Sequence, residues 1–252
     1  MPSPTDSSRP FGYRFAIAVL RPVFMALTRR RWEGVENLPT EGGWVVCPNH
    51  VSHVDPLAFA HFLVDQGYAP RFLGKNEVFR VPVVGAVLRS ADQIPVYRES
   101  GRAADAYRAA VAAVRADKCV AIYPEGTLTR DPGLWPMRGK TGAARVALET
   151  RCPVVPVAVW GPQEMLAPYA KVPHLVPRPV MRVRAGKPVD LADLHGLPVT
   201  APVLAEATRR IMDAITAELE VLRGEKAPAE RFDPRRAGVT PTGRPRPIEE
   251  AS

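Results

Sequence analysis

The chain has 252 residues, 46% of them hydrophobic, which fits one large domain with a sizeable core. Lys and Arg number 34 against 26 Asp and Glu, and the net charge of +8 favours a polyanionic neighbour without choosing among nucleic acid, an anionic leaflet or a phosphorylated substrate. The three cysteines, Cys47, Cys119 and Cys152, lack metal-type and redox-type spacing, so they read as small core residues of a reduced, cytosol-facing protein.

In chain order, the polar opening MPSPTDSSRP lacks a signal-peptide pattern. Residues 11–31 come next, with apolar stretches at 15–20 and 23–27 split by Arg21 and Pro22 and closed by Arg29, Arg30 and Arg31. A spanning helix needs about 20 apolar residues without such breaks. The segment suits an interfacial anchor with its arginines among anionic headgroups, or an amphipathic helix packed on the domain. Short Val- and Ile-rich runs at 44–47, 71–73, 94–96, 120–123, 154–159 and 180–183 are bounded by Gly or Pro and read as strands. Helical patterns lie between them at 56–65, 103–116 and 140–150, and a long one at 202–222 places Leu204, Ile211, Ile215, Leu219 and Leu222 at core spacing. Strand and helix alternate, so the expected fold class is α/β, a single domain with a largely parallel mixed sheet flanked by helices, plus the N-terminal helical segment. The expected divisions are an N-terminal membrane-surface segment over 1–31, the main domain over 32–222, and a disordered basic tail over 223–252, which is rich in Pro, Arg and Glu.

In open α/β sheets chemistry gathers in loops at the carboxyl ends of strands. The first such loop reads Pro48-Asn49-His50-Val51-Ser52-His53-Val54-Asp55-Pro56. A carboxylate on one imidazole nitrogen fixes the tautomer and leaves the other nitrogen to take a proton, so His50 and Asp55 form a candidate base and its orienter if the loop folds into a helical turn. The bland alternative is equally physical, since Asp before Pro is an ordinary helix start. Ser52 lacks the Gly-flanked elbow of serine hydrolases, and His50, His53 and Asp55 make a sparse metal ligand set. His61 and His174 have no motif context. Later strand exits carry Gly74-Lys75-Asn76-Glu77-Val78-Phe79 and then Tyr123-Pro124-Glu125-Gly126-Thr127-Leu128-Thr129-Arg130.

Taken together in this order, the blocks resemble the glycerophosphate and lysophospholipid acyltransferase family, most closely its 1-acylglycerol-3-phosphate acyltransferases. Asn49, His50, Ser52 and Asp55 match its first block. Lys75, Glu77, Phe79, Pro82 and Gly85 match its second, Tyr123 to Thr127 its third, and Pro156 its fourth, with Lys140-Thr141-Gly142 similar to a later segment. The similarity covers residues 31–189. It implies direct transfer of a fatty acyl group from acyl-CoA, or from acyl carrier protein, to the free hydroxyl of 1-acylglycerol-3-phosphate, with His50 and Asp55 catalytic. It implies an acceptor site drawn from Lys75, Glu125, Gly126, Thr127, Arg130 and Lys140. No metal and no cofactor beyond the acyl-CoA co-substrate are implied, nor any nucleic-acid partner, and the expected place is peripheral or monotopic on the cytoplasmic face of the cell membrane. One position departs from the pattern: Leu128 stands where many members carry a phosphate-binding Arg, and the nearest arginine is Arg130. That leaves room for another lysolipid or a glycolipid acceptor, while the basic tail and the charge of +8 would suit a non-catalytic protein that binds anionic lipid or nucleic acid. The apolar stretch 78–88 reads as a lining for the acyl chain or as plain core helix.

Overall fold

A computed structural model describes residues 10–97, 103–234 and 236–240. Seven strands form one sheet in the order β1-β7-β6-β2-β5-β3-β4. Five of them, β2 (Trp44–Pro48), β3 (Arg71–Lys75), β4 (Ile94–Val96), β5 (Cys119–Ala121) and β6 (Val154–Trp160), are mutually parallel. β7 (Val180–Ala185) runs antiparallel to β6, and β1 (Arg29–Glu33) runs parallel to β7. β2 and β6 are continuous apolar runs because both faces of the sheet are covered there. Alternate residues serve the two sides. Val45, Val120 and Val154 pack with α5 (Ala103–Arg115), α6 (Gly142–Thr150) and α8 (Ala201–Arg223), whereas Val46, Ala121 and Val155 pack with Phe59, Phe62 and Leu63 of α2 (Asp55–Asp65).

All six expected strands are present, and the four expected helices appear within two residues of their expected ends. β1 is not among the expected strands. Its sequence RRRWE carries no apolar alternation, and the strand exists because β7 offers it an open edge, where charged side chains project to solvent. The division expected at residue 31 therefore falls inside a strand of the sheet. The tail also differs in part from expectation: Arg223 is the last residue of α8, and residues beyond it return along that helix through Ala227 N–H to Glu220 (3.0 Å) and Arg231 to Asp213 (3.0 Å). Residues 241–252 lie outside the described residues.

The N-terminal helix α1 (Phe11–Leu27) packs on the domain along one strip and leaves much of its apolar surface open. One narrow strip, Gly12, Tyr13 and Phe24, is buried against the domain, and Gly12 lies so close to Ser90 of α4 (Val84–Ser90) that a side chain there would clash. Arg21 reaches Asp65 at the end of α2 (2.7 Å), where Arg30 and Trp32 also converge. Ile17 packs partly beside Tyr13, while Phe11, Phe15, Val19, Leu20, Val23 and Met25 are exposed. So are Val78 of α3 (Asn76–Phe79) and Val81, Val83 and Val84 in and after the α3–α4 turn. Among the described residues no helix is long and apolar enough to cross a membrane.

Candidate active site

β2 delivers its loop to the carboxyl edge of the five parallel strands, and α2 begins seven residues after the strand ends. Asp55 opens that helix with Pro56 behind it, so the backbone turns tightly enough for the carboxylate to fold back over the loop. Its Oδ2 accepts hydrogen bonds from the backbone N–H of Val51 (2.6 Å) and Ser52 (2.8 Å) and meets His50 Nδ1 at 2.9 Å. Asp55 is wholly enclosed, whereas the His50 side chain stays 17% exposed, so the imidazole can meet a substrate and the carboxylate cannot. Burial pushes the Asp55 carboxyl up, and the His50 contact and the two amides pull it back. With Nδ1–H turned to the carboxylate, Nε2 is left carrying a lone pair.

Neighbouring loops hold His50 by its backbone as well. Its N–H donates to Glu125 Oε1 (3.1 Å), and its carbonyl accepts from Thr129 N–H (2.7 Å). The other oxygen of Glu125 accepts from Met137 N–H (2.9 Å). Glu125 is thus a buried staple joining the base's loop to the two ends of the 126–137 loop, and its oxygens face the protein's own backbone. Burial pushes its carboxyl up to about 8, against the pull of those two amides. Asn49 is another tie: its amide donates to Val159 carbonyl (3.1 Å) and accepts from Val159 N–H (2.7 Å), extending the β2–β6 pairing into the loop. The Ser52 hydroxyl donates to Leu166 carbonyl (2.7 Å), which gives it a structural task.

Gly126 sits in the left-handed region at φ +68°, and a side chain there would come within 2.8 Å of Lys140 Nζ. The glycine therefore permits both the turn and the close passage of the lysine ammonium. Lys140 N–H also donates to Pro124 carbonyl (2.8 Å), which brings the two motifs together. Thr127 continues the turn and is half-buried. Leu128, at the departing position, is 2% exposed and is a core residue. Arg130 lies half-buried with its guanidinium over the Tyr169 ring, 5.6 Å from the centroid. Lys75 is exposed at the end of β3; extending the register from Phe72, Ala121 and Val46 sets Lys75, Pro124 and Asn49 level across three neighbouring strands. His53 is exposed and lies edge-on with the Tyr169 ring, 6.4 Å between centroids. His61 is buried beside Trp32 and Arg30, far down α2. Among the described residues no group of three or more His, Cys, Asp or Glu could hold a metal ion.

A buried carboxylate behind an accessible imidazole, at the carboxyl edge of an α/β sheet, is an arrangement able to take a proton from a bound group. Residues 29–160 match the acyltransferase family model, and the chain belongs to that family. A 1-acyl-sn-glycerol-3-phosphate acyltransferase of Bacillus subtilis is 25% identical over 186 residues, 74% of this chain and 86% of that protein. A chloroplastic 1-acyl-sn-glycerol-3-phosphate acyltransferase of Brassica napus is 31% identical over 131 residues; the match spans 51% of this chain and only 36% of the relative's length. Among solved structures, the 1-acyl-sn-glycerophosphate acyltransferase of Thermotoga maritima has the same fold, with a TM-score of 0.64 at 21% identity over 86% of this chain and 81% of that one.

Proposed function

We propose that this acyltransferase moves a fatty acyl group from a thioester donor, acyl-CoA or acyl carrier protein, to the free hydroxyl of 1-acylglycerol-3-phosphate, giving phosphatidic acid. The observation that carries the reading is the 2.9 Å contact of His50 Nδ1 with a fully enclosed Asp55. His50 Nε2 takes the hydroxyl proton, and the oxygen attacks the thioester carbonyl. The tetrahedral intermediate collapses, the C–S bond breaks, and the thiolate leaves as thiol with the proton returned from His50. Asp55 balances the imidazolium between the two proton transfers.

Lys140 Nζ passes close to Gly126, Arg130 lies within the same loop, and Lys75 stands at the neighbouring strand exit. These three cations form the candidate grip on the acceptor's phosphate, whose charge is roughly −1.5 to −2 by analogy with phosphoserine. A second reading has its own observation: Leu128 is buried where many family members present an arginine, which favours an acceptor without that phosphate. Thiol release from acyl-CoA, measured with lysophosphatidic acid, lysophosphatidylcholine and monoacylglycerol in turn, separates the readings. The phosphate reading expects lysophosphatidic acid to give the highest efficiency, with Arg130→Ala costing about ten- to a hundredfold on it and much less on monoacylglycerol, because a charged hydrogen bond is worth roughly 1.5–3 kcal/mol. Equal losses on phosphorylated and unphosphorylated acceptors would remove Arg130 from the phosphate site.

The surface completes the proposal. β1 starts level with the end of β6, since β7 reverses direction and β1 runs alongside it, so α1 arrives at the sheet edge that carries His50. The α3–α4 turn comes after β3 and emerges at that edge too. The end of α1, where Phe24 meets Ala58 and Val54, and the exposed Val78, Val81 and Val83 lie on the site's side, whereas the start of α1 packs by Tyr13 against Ala69 and Ala91 ahead of β3 and β4. This apolar surface suits peripheral attachment on an anionic bilayer from which a lipid acceptor is drawn.

A further inference from the structure

The family reading places Tyr123 in a motif as an aromatic residue and gives it no task. Its ring lies 4.3 Å from the His50 imidazole, centroid to centroid, with the two planes tilted by 33°. That is a tilted, partly stacked contact, unlike the edge-on arrangement of His53 with Tyr169 at 88°. The backbone explains how the ring arrives. Ile122 N–H continues the β5–β2 pairing by donating to Val46 carbonyl (3.0 Å), so Tyr123 leaves β5 beside the end of β2, directly under the loop that carries His50. The turn beyond the residue then locks it: Gly126 N–H donates to Tyr123 carbonyl (3.0 Å), and the next side chain but one, Glu125, holds the His50 amide.

An imidazole on a flexible side chain has two torsions to fix. The Asp55 contact sets where Nδ1 points, but the ring can still swing about that hydrogen bond. A flat wall at stacking distance removes this second freedom, and with it the spread of directions available to Nε2. The wall also meets the imidazolium that forms when His50 takes a proton, and an electron-rich aromatic face attracts a cation placed over it. The phenol itself is not a competing base. Burial and the nearby Asp55 charge hold it protonated well above its ordinary range.

We infer that Tyr123 is the positioning residue of the base: its ring is the wall that sets the plane of His50 and so aims Nε2 at the acceptor hydroxyl. The inference rests on the reading of His50 as the proton acceptor, and the test is arranged to separate the two. Three full-length variants are compared by thiol release from acyl-CoA in the presence of lysophosphatidic acid. His50→Ala tests the base alone. Tyr123→Phe keeps the ring and removes the hydroxyl. Tyr123→Leu removes the ring.

The expected pattern is loss of nearly all turnover in His50→Ala, kcat within about threefold of the parent for Tyr123→Phe, and kcat lower by about ten- to a hundredfold for Tyr123→Leu, with KM for both substrates changed less than about threefold. Wild-type kcat in Tyr123→Leu beside an inactive His50→Ala would overturn the positioning role and leave the base in place. An equal fall of kcat in Phe and Leu variants would assign the effect to the hydroxyl and also overturn it. An active His50→Ala would instead sink the reading on which the inference stands. A spectroscopic measurement serves where Tyr123→Leu folds poorly. The His50 ring protons, assigned by their loss in His50→Ala, should show in the parent and in Tyr123→Phe the upfield displacement that a stacked aromatic ring causes. Ring protons at ordinary positions in both proteins would refute the stacking.

Discussion

His50 is gripped at its N–H and its carbonyl by the 125–129 turn and at one ring nitrogen by the start of α2. Glu125 supplies the first, and its setting makes a prediction about pH. Its carboxyl is raised from an ordinary value of 4.5 to about 8 in the folded protein, so the folded chain holds a proton there that the unfolded chain releases. Stability from this group is therefore complete below about pH 4.5 and is lost as pH rises toward about 8. Over that window the unfolding free energy should fall with a slope approaching about 1.4 kcal/mol per pH unit, relative to Glu125→Gln. Urea melts of both proteins between about pH 5 and 8 check it; parallel curves would contradict it. The sequence announced Glu125 as a motif residue, but a motif does not say which way a carboxylate points. That its oxygens would go to the amides of His50 and Met137 depends on loops 75 and 12 residues away, and no local pattern encodes it. The same holds for Tyr123, legible as an aromatic residue and not as a wall. His50 and Asp55 were legible because their partnership is short-range, five positions apart and closed by a helix start.

The helix α1 shows what an element can tell and conceal. Its alternating apolar and charged stretches fitted an interfacial anchor or an amphipathic helix packed on the domain; a strip of it is packed on the domain, and much of its apolar surface is exposed. Phe15 and Val19 are each about half exposed, at 48% and 47%. Replacing both by Ser should leave thermal unfolding nearly unchanged, because neither contributes to the core. It should weaken binding to anionic vesicles about tenfold or more, since burying each apolar side chain in a bilayer is worth roughly 1–2 kcal/mol. Co-sedimentation measures it; undiminished binding would shift the membrane contact to Val81–Val84. The strands were mostly legible because Val-rich runs between glycines and prolines have few other uses. β1 was not, since a strand of three arginines, a tryptophan and a glutamate is made by the edge it joins and not by its own pattern.

At the scale of the whole molecule, direction matters most. Five parallel strands bring their carboxyl ends to one edge, and the reversal at β7 brings β1 and α1 to that edge as well. His50, the candidate phosphate cations, the α3–α4 turn and the end of α1 are thereby gathered on one side, which suits the proposed lipid acceptor. The net charge of +8 adds attraction to an anionic surface that weakens with salt. The proposed function assigns that side one event, removal of a proton from the acceptor hydroxyl by His50. The decisive measurement is phosphatidic acid formation from acyl-CoA and lysophosphatidic acid by the full chain and by His50→Ala, Asp55→Asn and His53→Ala, with each variant shown to be folded. His50→Ala and Asp55→Asn should each lose all but a small fraction of turnover, and His53→Ala should keep most of it. Activity that survives His50→Ala and disappears with His53→Ala would contradict the account.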